Sequence, residues 1–321
     1  MDFGHFVHSF ADNTMTGLTY GGIYALVALG YTLVYGVLKL INFAHSEVFM
    51  LGTFGAIGVW GVLGFNDATA TPSLLMFAVL MLAGTVGAMV ASGGTALALE
   101  YIAYRPLRRK RAPRLVFLIT AIGCSLALLE GMGVVTDHDT YKAPTLIDPY
   151  PILHLNFGPL GTVDVDDVSV GIIIFALLML AVLDVFINRS RTGAGVRAVA
   201  QDADTAALMG INKNRIFALT FLLGGIAAGL AAALYDVYIG NTINDVGFIL
   251  GIKAFTAAVL GGIGNLRGAL VGGFLLGLVE QWAGALFGNA WLDVVAFIIL
   301  VVVLMFKPTG LLGESLGRAK A

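Results

Sequence analysis

Five polar side chains lie close together between two apolar runs near the start of the chain. The stretch VYGVLKLINFAHSEVFMLG, residues 34–52, contains Lys39, Asn42, His45, Ser46 and Glu47. An imidazole, a hydroxyl and a carboxylate can exchange protons, bind a metal or line a path for a polar solute. Which of these chemistries applies depends on the elements that hold the cluster.

The spacing of the cluster argues against a metal site and against catalysis. His45 and Glu47 are two residues apart, so a helix would place them on different faces. The sequence contains no His-Glu-x-x-His motif, no Cys/His cluster with metal spacing and no Gly-x-x-x-x-Gly-Lys-Ser/Thr phosphate loop. An intramembrane enzyme would need a facing pair, such as His45 with Asp184 or Glu280, and no spacing brings such a pair together. We predict no catalytic residue, no metal site and no cofactor in this chain.

The composition indicates that the elements around the cluster lie in a membrane. Hydrophobic residues make up 58% of the 321 residues and charged residues 12%, against about 25% charged in a soluble domain. A bilayer core of about 30 Å is crossed by about 20 mostly apolar residues. Candidate spans lie at about 13–38, 46–64, 74–103, 115–135, 168–188, 215–238, 248–263, 269–287 and 291–306. We predict an all-α, polytopic transmembrane helical bundle of eight or nine spans, because the short run 248–263 is either a span or a re-entrant segment.

The charged loops predict the orientation of the bundle, since cytoplasmic loops are enriched in Lys and Arg. Most of the 18 basic residues lie in 105–114, 189–215 and the tail, whereas 136–167 is acidic. We therefore expect an external segment 1–12, a single transmembrane domain 13–306 with an external loop 136–167 and a cytoplasmic segment 189–214, and a cytoplasmic tail 307–321. The first span should be retained, because the N-terminus has no Lys or Arg and no small-residue cleavage site follows the first apolar run. Nothing in the basic residues suggests nucleic acid.

Glycine is about twice as frequent as in an average protein, at 42 of 321 residues. Many glycines are four residues apart within spans, a spacing that lets helix backbones approach closely in lipid. We expect these pairs to mark helix contacts: Gly17/Gly21, Gly225/Gly229, Gly268/Gly272 and Gly273/Gly277.

The segment RSRTGAGVRAVAQDADTAALMGINKNRI, residues 189–216, predicts a short amphipathic helix on the cytoplasmic side. Small and apolar residues recur at helical spacing through 194–210, opposite a polar face. Gly210 is placed to end this helix of about four turns. The apolar face is too small for a membrane anchor, and its small residues suit close docking against protein.

The segment RAVAQDADTAALMGI resembles the coupling segment, which meets the ATPase, in permease subunits of bacterial ABC importers for branched-chain amino acids. GLTYGGIYALVALGYTLVYGVLKLINFAHSEVFMLG resembles the opening of the H-type subunit of this family. GIKAFTAAVLGGIGNLRGALVGGFLLGLVE and KPTGLLG resemble its closing part, so the resemblance extends from Gly17 to Gly313. The chain departs from the family at Ser46, where Gly is usual, and near Arg267, where Pro is frequent.

The resemblance implies a passive permease subunit of an importer driven by ATP hydrolysis on its partners. The expected partners are a second permease subunit, in a hetero- or homodimer, two cytoplasmic ATPase subunits that hold ATP and Mg²⁺, an external solute-binding protein, and membrane lipid. The implied cargo is a branched-chain or other hydrophobic amino acid, with urea or a short amide as the alternative. An ion-coupled secondary transporter is a second alternative. The implied location is the bacterial inner membrane, with the N-terminus outside and the C-terminus in the cytoplasm.

Two groups of site residues follow. By family analogy, the ATPase-coupling residues are Arg197, Ala200, Gln201, Asp202, Ala207 and Gly210. The translocation pathway or gate is assigned to Asn42, His45, Ser46, Glu47 and Lys253.

Each pathway assignment has a competing interpretation. The cluster at His45 could instead be a capped turn at the membrane surface, with Asn42 or Ser46 capping the next helix. Lys253 should pair with Glu280 or Asp245, or reach the membrane surface. Four acidic residues near span ends are expected to be solvated: Glu100, Glu130, Asp184 and Asp236.

Overall fold

The computed structural model describes residues 3–66, 69, 71–147, 150–156, 158 and 161–313. Helices dominate this part of the chain, and the short strands lie in two pairs. The helices are α1 (Phe3–Leu38), α2 (His45–Val62), α3 (Leu74–Leu99), α4 (Arg105–Arg109), α5 (Arg114–Thr136), α6 (Asp167–Arg189), α7 (Arg191–Gln201), α8 (Ala203–Leu208), α9 (Lys213–Ile239), α10 (Val246–Gly261), α11 (Leu266–Phe287) and α12 (Leu292–Phe306). The strands are β1 (Tyr141–Lys142), β2 (Pro151–Asn156), β3 (Thr162–Asp166) and β4 (Asn241–Thr242). The predicted tail beyond Gly313 lies outside the described residues.

The all-α, polytopic fold class is confirmed. Within the described residues, seven helices are long and apolar enough to cross a membrane, and α10, with 16 residues, is a shorter apolar helix. The 18-residue helix α2 is not among the seven, and its first turn carries the polar residues His45, Ser46 and Glu47. The sequence placed the start of the first span at residue 13, whereas α1 extends back to Phe3.

The two ends of the bundle differ in their secondary structure. We call the end formed by α7 and α8 the coupling end, and the end formed by the four strands the hairpin end. Helix α6 runs from β3 to α7, and α9 runs from the segment after α8 to β4, so each connects the two ends. The segments 136–167 and 189–214 are therefore separated by the length of a membrane-spanning helix.

Helix α10, with 16 residues, is shorter than the seven candidate spans, and its second residue, Gly247, lies against Ser46 and Glu47 inside the bundle. It begins beside β4 at the hairpin end. At its other end, the carbonyls of Leu260 and Gly261 accept hydrogen bonds from the backbone N–H groups of Leu311 and Leu312, at 2.8 and 2.9 Å. The neighbouring start of α11 reaches α6 close to the coupling end, where Arg267 pairs with Asp184 at 3.1 Å.

The strands pair the loops at the hairpin end with one another through backbone hydrogen bonds. Strands β2 and β3 form an antiparallel hairpin in which Leu155 pairs with Val163. Strands β1 and β4 are also antiparallel, with Tyr141 opposite Thr242. Because β4 follows α9 and precedes α10, this second pair fixes the loop after α5 to the centre of the bundle.

Helices α1 and α9 form the centre, and their most apolar windows are 83% and 72% buried. Close glycine contacts join α1 to α11: a Cβ added at Gly17 would lie 2.9 Å from the Gly277 carbonyl oxygen, and one at Gly21 would lie 2.8 Å from Phe274 Cα. Real Cβ atoms do not approach backbone this closely, so glycine is required there. The four predicted glycine pairs all lie at such helix contacts, as the sequence spacing predicted.

Candidate functional site

The polar cluster at the start of α2 lies inside the bundle. Helix α1 ends at Leu38, the chain turns through Lys39 with φ +54°, and α2 begins at His45. His45 packs against Gly30, eight residues before the end of α1, which places it about 12 Å inside that helix end. His45, Ser46 and Glu47 are 1%, 4% and 0% exposed. The turn therefore folds back into the bundle instead of resting at its surface.

Glycines on two neighbouring helices make the room for this cluster. A Cβ at Gly30 of α1 would overlap the His45 ring, and one at Gly251 of α10 would overlap Ser46. A Cβ at Gly247 would lie 2.9 Å from Glu47 Oε2. Polar groups buried at this depth are expensive, so they are expected where they serve a function.

The capped-turn interpretation is wrong. The N-cap residue of α2 is Ala44, which has no side-chain cap. The Asn42 side chain accepts a hydrogen bond from the Tyr104 hydroxyl at 2.6 Å, and the Ser46 hydroxyl donates to the Phe43 carbonyl at 2.7 Å. Neither side chain caps the helix, because both are engaged with other groups inside the bundle.

Glu47 is held by two hydroxyl groups. Its Oε1 accepts hydrogen bonds from Ser46 Oγ and Ser125 Oγ, each at 3.1 Å. Its Oε2 makes no hydrogen bond to a described residue, and neither ring nitrogen of His45 meets hydrogen-bond geometry with one. The His45 ring packs edge-on against Tyr31, with 4.8 Å between ring centroids.

A cavity of about 140 Å³ opens beside this cluster, and we call it the inner cavity. Its polar groups include the same Ser46 and Ser125 that contact Glu47. Its walls are otherwise mainly aromatic and aliphatic, among them Tyr31, Phe43 and Phe255. A cavity that combines apolar walls with a few converging polar groups is typical of a small-molecule site.

Lys253 is the second buried charge in the predicted pathway. Its ammonium group pairs with Glu280 Oε1 at 2.6 Å and with Asp293 Oδ1 at 2.7 Å. The Lys253 side chain is 13% exposed, and its partner Asp293, in the first turn of α12, is 56% exposed. Of the two partners considered from the sequence, Glu280 forms the pair and Asp245 does not; Asp293 was missed because it lies on another helix, 40 residues away.

Two acidic residues that the sequence suggested were solvated are buried. Glu100 is 0% exposed and pairs with Arg105 at 2.9 Å and with Arg108. It begins a π-helical turn, Glu100–Tyr104, that joins α3 to α4 and also carries the tyrosine bonded to Asn42. Asp236 of α9 is 0% exposed as well. Position near a span end was therefore a poor guide to solvation.

In the part of the chain that the structure describes, His45 is paired with neither Asp184 nor Glu280. Asp184 bonds Arg267, and Glu280 bonds Lys253, so neither meets His45. Among the residues that the structure describes, no group of three His, Cys, Asp or Glu side chains could hold a metal ion.

The amphipathic segment forms two helices where the sequence predicted one. Helix α7 ends at Gln201 because Asp202 adopts an extended conformation, φ −154° and ψ 108°. The Asp202 side chain accepts hydrogen bonds from the backbone N–H groups of Asp204 at 2.9 Å and Thr205 at 3.0 Å, and so caps α8. Asp favours such caps over helix interiors.

The end of the segment at Gly210 agrees with the sequence. Gly210 has φ +87°, and its N–H bonds the Ala207 carbonyl while the Ile211 N–H bonds the Ala206 carbonyl. This is the Schellman arrangement, which favours glycine at this position.

The apolar face of the segment packs on the bundle. Val196, Val199 and Ala206 are buried in one cluster with Val37 of α1 and residues of α9. Of the predicted coupling residues, Arg197, Gln201, Asp202, Ala207 and Gly210 are exposed. Ala200 is only partly buried against the same cluster, and Arg197 also donates to the Ile187 carbonyl at the end of α6.

Leu208 and Met209 are the surface residues that sequence reasoning missed. They are 88% and 81% exposed at the end of α8, between the polar Thr205 and Gly210. The signal was present as two large apolar residues directly before the terminating glycine. The spacing predicts one continuous helix, whereas the break at Asp202 separates α8 from α7.

The fold and the site define a polytopic membrane permease, with a polar cluster and an apolar cavity inside a helical bundle and a docked helical segment at one end. The family model described as branched-chain amino acid transport system / permease component matches residues 13–304. The chain belongs to this family, as the resemblance predicted.

Two curated relatives align over nearly their whole length. The high-affinity branched-chain amino acid transport system permease protein BraD of Pseudomonas aeruginosa is 39% identical over 310 residues, 96% of this chain and 97% of BraD. The corresponding protein LivH of Escherichia coli K12 is 38% identical over 308 residues, 95% of this chain and 96% of LivH. Among solved structures, PsaBC from Streptococcus pneumoniae in complex with Fab matches with a TM-score of 0.44 and 13% identity, over 92% of this chain and 91% of that one.

Proposed function

We propose that this chain is one half of the permease of an ATP-driven importer and carries branched-chain or other hydrophobic amino acids inward by alternating access. Its partners are a second permease subunit, two cytoplasmic ATPase subunits that bind ATP and Mg²⁺, and an external solute-binding protein. The names of the relatives support the cargo, and the lack of a phosphate-binding loop in the sequence supports separate ATPase subunits. The inner cavity supports it too, because aromatic walls with two hydroxyl groups suit an apolar side chain.

The observation that carries the proposal is the exposed apolar pair Leu208 and Met209, which we call the docking pair. Two large apolar side chains that are exposed to solvent on an otherwise polar segment are typical of a protein interface. This holds especially when the opposite face of the segment, here called the base, is packed against the rest of the protein. The base is firm because Val196, Val199 and Ala206 are buried against the bundle. The docking pair extends the coupling surface assigned to Arg197, Gln201, Asp202, Ala207 and Gly210.

The same base connects docking to the pathway. Val37 belongs to the cluster that holds α7 and α8, and it lies one residue before the end of α1. The chain then passes through Asn42, which is bonded to Tyr104, and enters α2 at His45. A displacement of the coupling helices by an ATPase would therefore act first on the turn that carries Asn42, His45, Ser46 and Glu47, which we assign to the inner gate.

The orientation follows from the same assignment. The coupling end faces the cytoplasm of a bacterial inner membrane, and the hairpin end faces outward. The start of α1 and the acidic segment 136–167 then lie outside, and residues 307–313 lie with the coupling end, where Leu311 and Leu312 bond α10.

The docking pair gives the direct test of the proposal. Leu208→Ser with Met209→Ser should remove the ATPase subunits from the permease during gentle affinity purification, and should abolish ATP-driven uptake of leucine. Leu63→Ser is the matched control, because Leu63 is also an exposed leucine, 48% exposed, but follows α2 at the hairpin end. Copurification of the ATPase with the double variant, at the level of the control, would overturn the docking assignment.

The cargo is tested on the same preparation. Proteoliposomes that contain the whole importer should take up leucine, isoleucine and valine with ATP inside, and excess urea or acetamide should not compete. Uptake that an uncoupler abolishes while ATP is present would indicate an ion-coupled transporter instead.

A further inference from the structure

We infer that a second cavity, at the hairpin end, binds the zwitterionic head group of the incoming amino acid, with Lys253 facing its carboxylate and Asp245 its ammonium group. This inference rests on the proposed function, because it takes the cargo to be a hydrophobic amino acid. The cavity has a volume of about 230 Å³ and lies between the end of α9 and the start of α10. We call it the outer cavity.

The outer cavity has a charged group of each sign. Lys253 and Asp245 both line it, and they are eight residues apart on α10, or about 12 Å along the helix axis. Side chains on a helix point back toward its N-terminus, so the long Lys253 side chain shortens this gap toward Asp245. A zwitterion can occupy the remaining space, with its two charged ends facing opposite partners.

Lys253 retains capacity for a ligand. An ammonium group has three N–H donors, and the ion pairs with Glu280 and Asp293 account for two of them. Asp245 forms no ion pair with any described residue. Lys253 therefore has one N–H donor available for a ligand carboxylate, and the Asp245 carboxylate is available for a ligand ammonium group.

The rest of the lining suits a hydrophobic amino acid. Tyr20, Tyr24 and Tyr235 supply aromatic surface, which attracts ammonium groups. Ile249 and Leu250 supply an aliphatic surface for the side chain. Lys253 is accompanied by three carboxylates, those of Glu280, Asp293 and Asp245, so a carboxylate ligand that lacks an ammonium group is disfavoured by charge repulsion.

The position of the outer cavity fits the first binding site that the cargo would reach during import. It lies at the end opposite to the docking pair, where a solute-binding protein would release its cargo under the proposed orientation. Helix α10 separates it from the inner cavity: Leu250 and Lys253 face the outer cavity, whereas Gly251 and Phe255 face the inner one. A movement of this one helix can therefore close one cavity while it opens the other.

The test is ligand protection of a cysteine at the rim. In the complete importer in nanodiscs, Cys124→Ala removes the one cysteine of this chain, and Asn241→Cys places a new one at the exposed edge of the outer cavity. L-leucine should slow maleimide labelling of this cysteine about tenfold, whereas 4-methylpentanoate, which lacks the ammonium group, and urea should not. A Thr140→Cys control, exposed at the same end but outside this cavity, should label equally fast with and without leucine.

Two further variants test the assigned groups. Asp245→Asn should raise the leucine concentration for half protection about tenfold. The paired change Lys253→Gln with Glu280→Gln removes one charge of each sign. In wild type, half protection should need less leucine than isopentylamine, which lacks the carboxylate. In the paired variant, the two ligands should protect at equal concentrations. Equal protection in wild type and both variants would overturn the assignment of Lys253 and Asp245.

The same preparation separates failure of this inference from failure of the proposed function. An importer that takes up leucine with ATP but shows no protection of Asn241→Cys would overturn the outer site and leave the proposed function intact. An importer that hydrolyses ATP but does not take up leucine, and shows no protection, would overturn both.

Discussion

At the scale of single residues, the burial of His45 depends on glycines that are distant in sequence. Gly30 lies on α1, and Gly247 and Gly251 lie on α10, and each would collide with the cluster if it carried a Cβ. The site is therefore defined as much by the absence of side chains around it as by its own polar groups. This makes the contact between Gly30 and His45 a sensitive probe of the proposed gate.

Gly30→Ala should lower the stability of the permease by about 1–3 kcal/mol, because the added methyl group overlaps the imidazole ring in a packed interior. Adding His45→Ala should recover part of this loss and not all of it, since the methyl group also lies 2.9 Å from the Gly224 carbonyl oxygen. The measurement is the thermal unfolding midpoint of the purified complex for the two single variants and the double variant.

The single variant His45→Ala tests the pathway itself. We expect reduced leucine uptake from a complex that still assembles with its ATPase. Uptake equal to that of the wild type would remove His45 from the gate and reduce its role to packing.

At the scale of elements, the coupling segment shows how one capping residue reshapes a helix. Asp202 caps α8 with its side chain and ends α7 at the same time. The hydrogen bond from the backbone N–H of Thr205, with those from the Thr205 hydroxyl and the Asp204 N–H, holds the pKa of Asp202 below its usual value. The cap is the reason that Leu208 and Met209 face solvent, because a continuous helix would present a different face.

Asp202→Ala should loosen α8 and speed amide hydrogen exchange several-fold across residues 203–208, whereas Asp202→Asn should keep the protection, because Asn caps helices as well as Asp does. A folded-state pKa below the unfolded one means that this cap stabilises at pH above the unfolded value and is lost as the pH falls through the folded value. Wild-type protection should therefore decline in acid, while that of Asp202→Asn should not. Equal exchange in all three proteins at neutral pH would contradict the capping role.

At the scale of the whole molecule, the glycine contact between α1 and α11 joins the beginning of the bundle to its closing part. Gly277 meets Gly17 and Gly21, and Gly273 meets Ala25, in each case backbone against backbone. In lipid no hydrophobic force drives helices together, so this close packing is a principal source of cohesion.

Gly277→Ala should destabilise the bundle, because its methyl group would meet the carbonyl oxygen of Gly17, which cannot move independently of α1. Gly94→Ala is the matched control: Gly94 lies within α3 with no atom within 4 Å of an added Cβ. That control should be stabilised by about 0.5–1 kcal/mol through its higher helix propensity. Thermal unfolding of the two variants in one detergent compares them, and similar midpoints would show that the α1–α11 contact tolerates a methyl group.

The sequence by itself determined the membrane class, most spans, the glycine contacts, the family and the presence of an amphipathic segment at 189–216, because hydropathy, glycine spacing and local motifs belong to short stretches of chain. Only the tertiary structure decided how deep His45 and Glu47 lie, that Asp293 joins Glu280 on Lys253, and that Glu100 and Asp236 are buried. The physical reason is that each of these depends on which distant helix supplies the space or the opposite charge. A lone polar residue in a span indicates that a polar partner is needed, and only the packing of the bundle determines which residue that partner is.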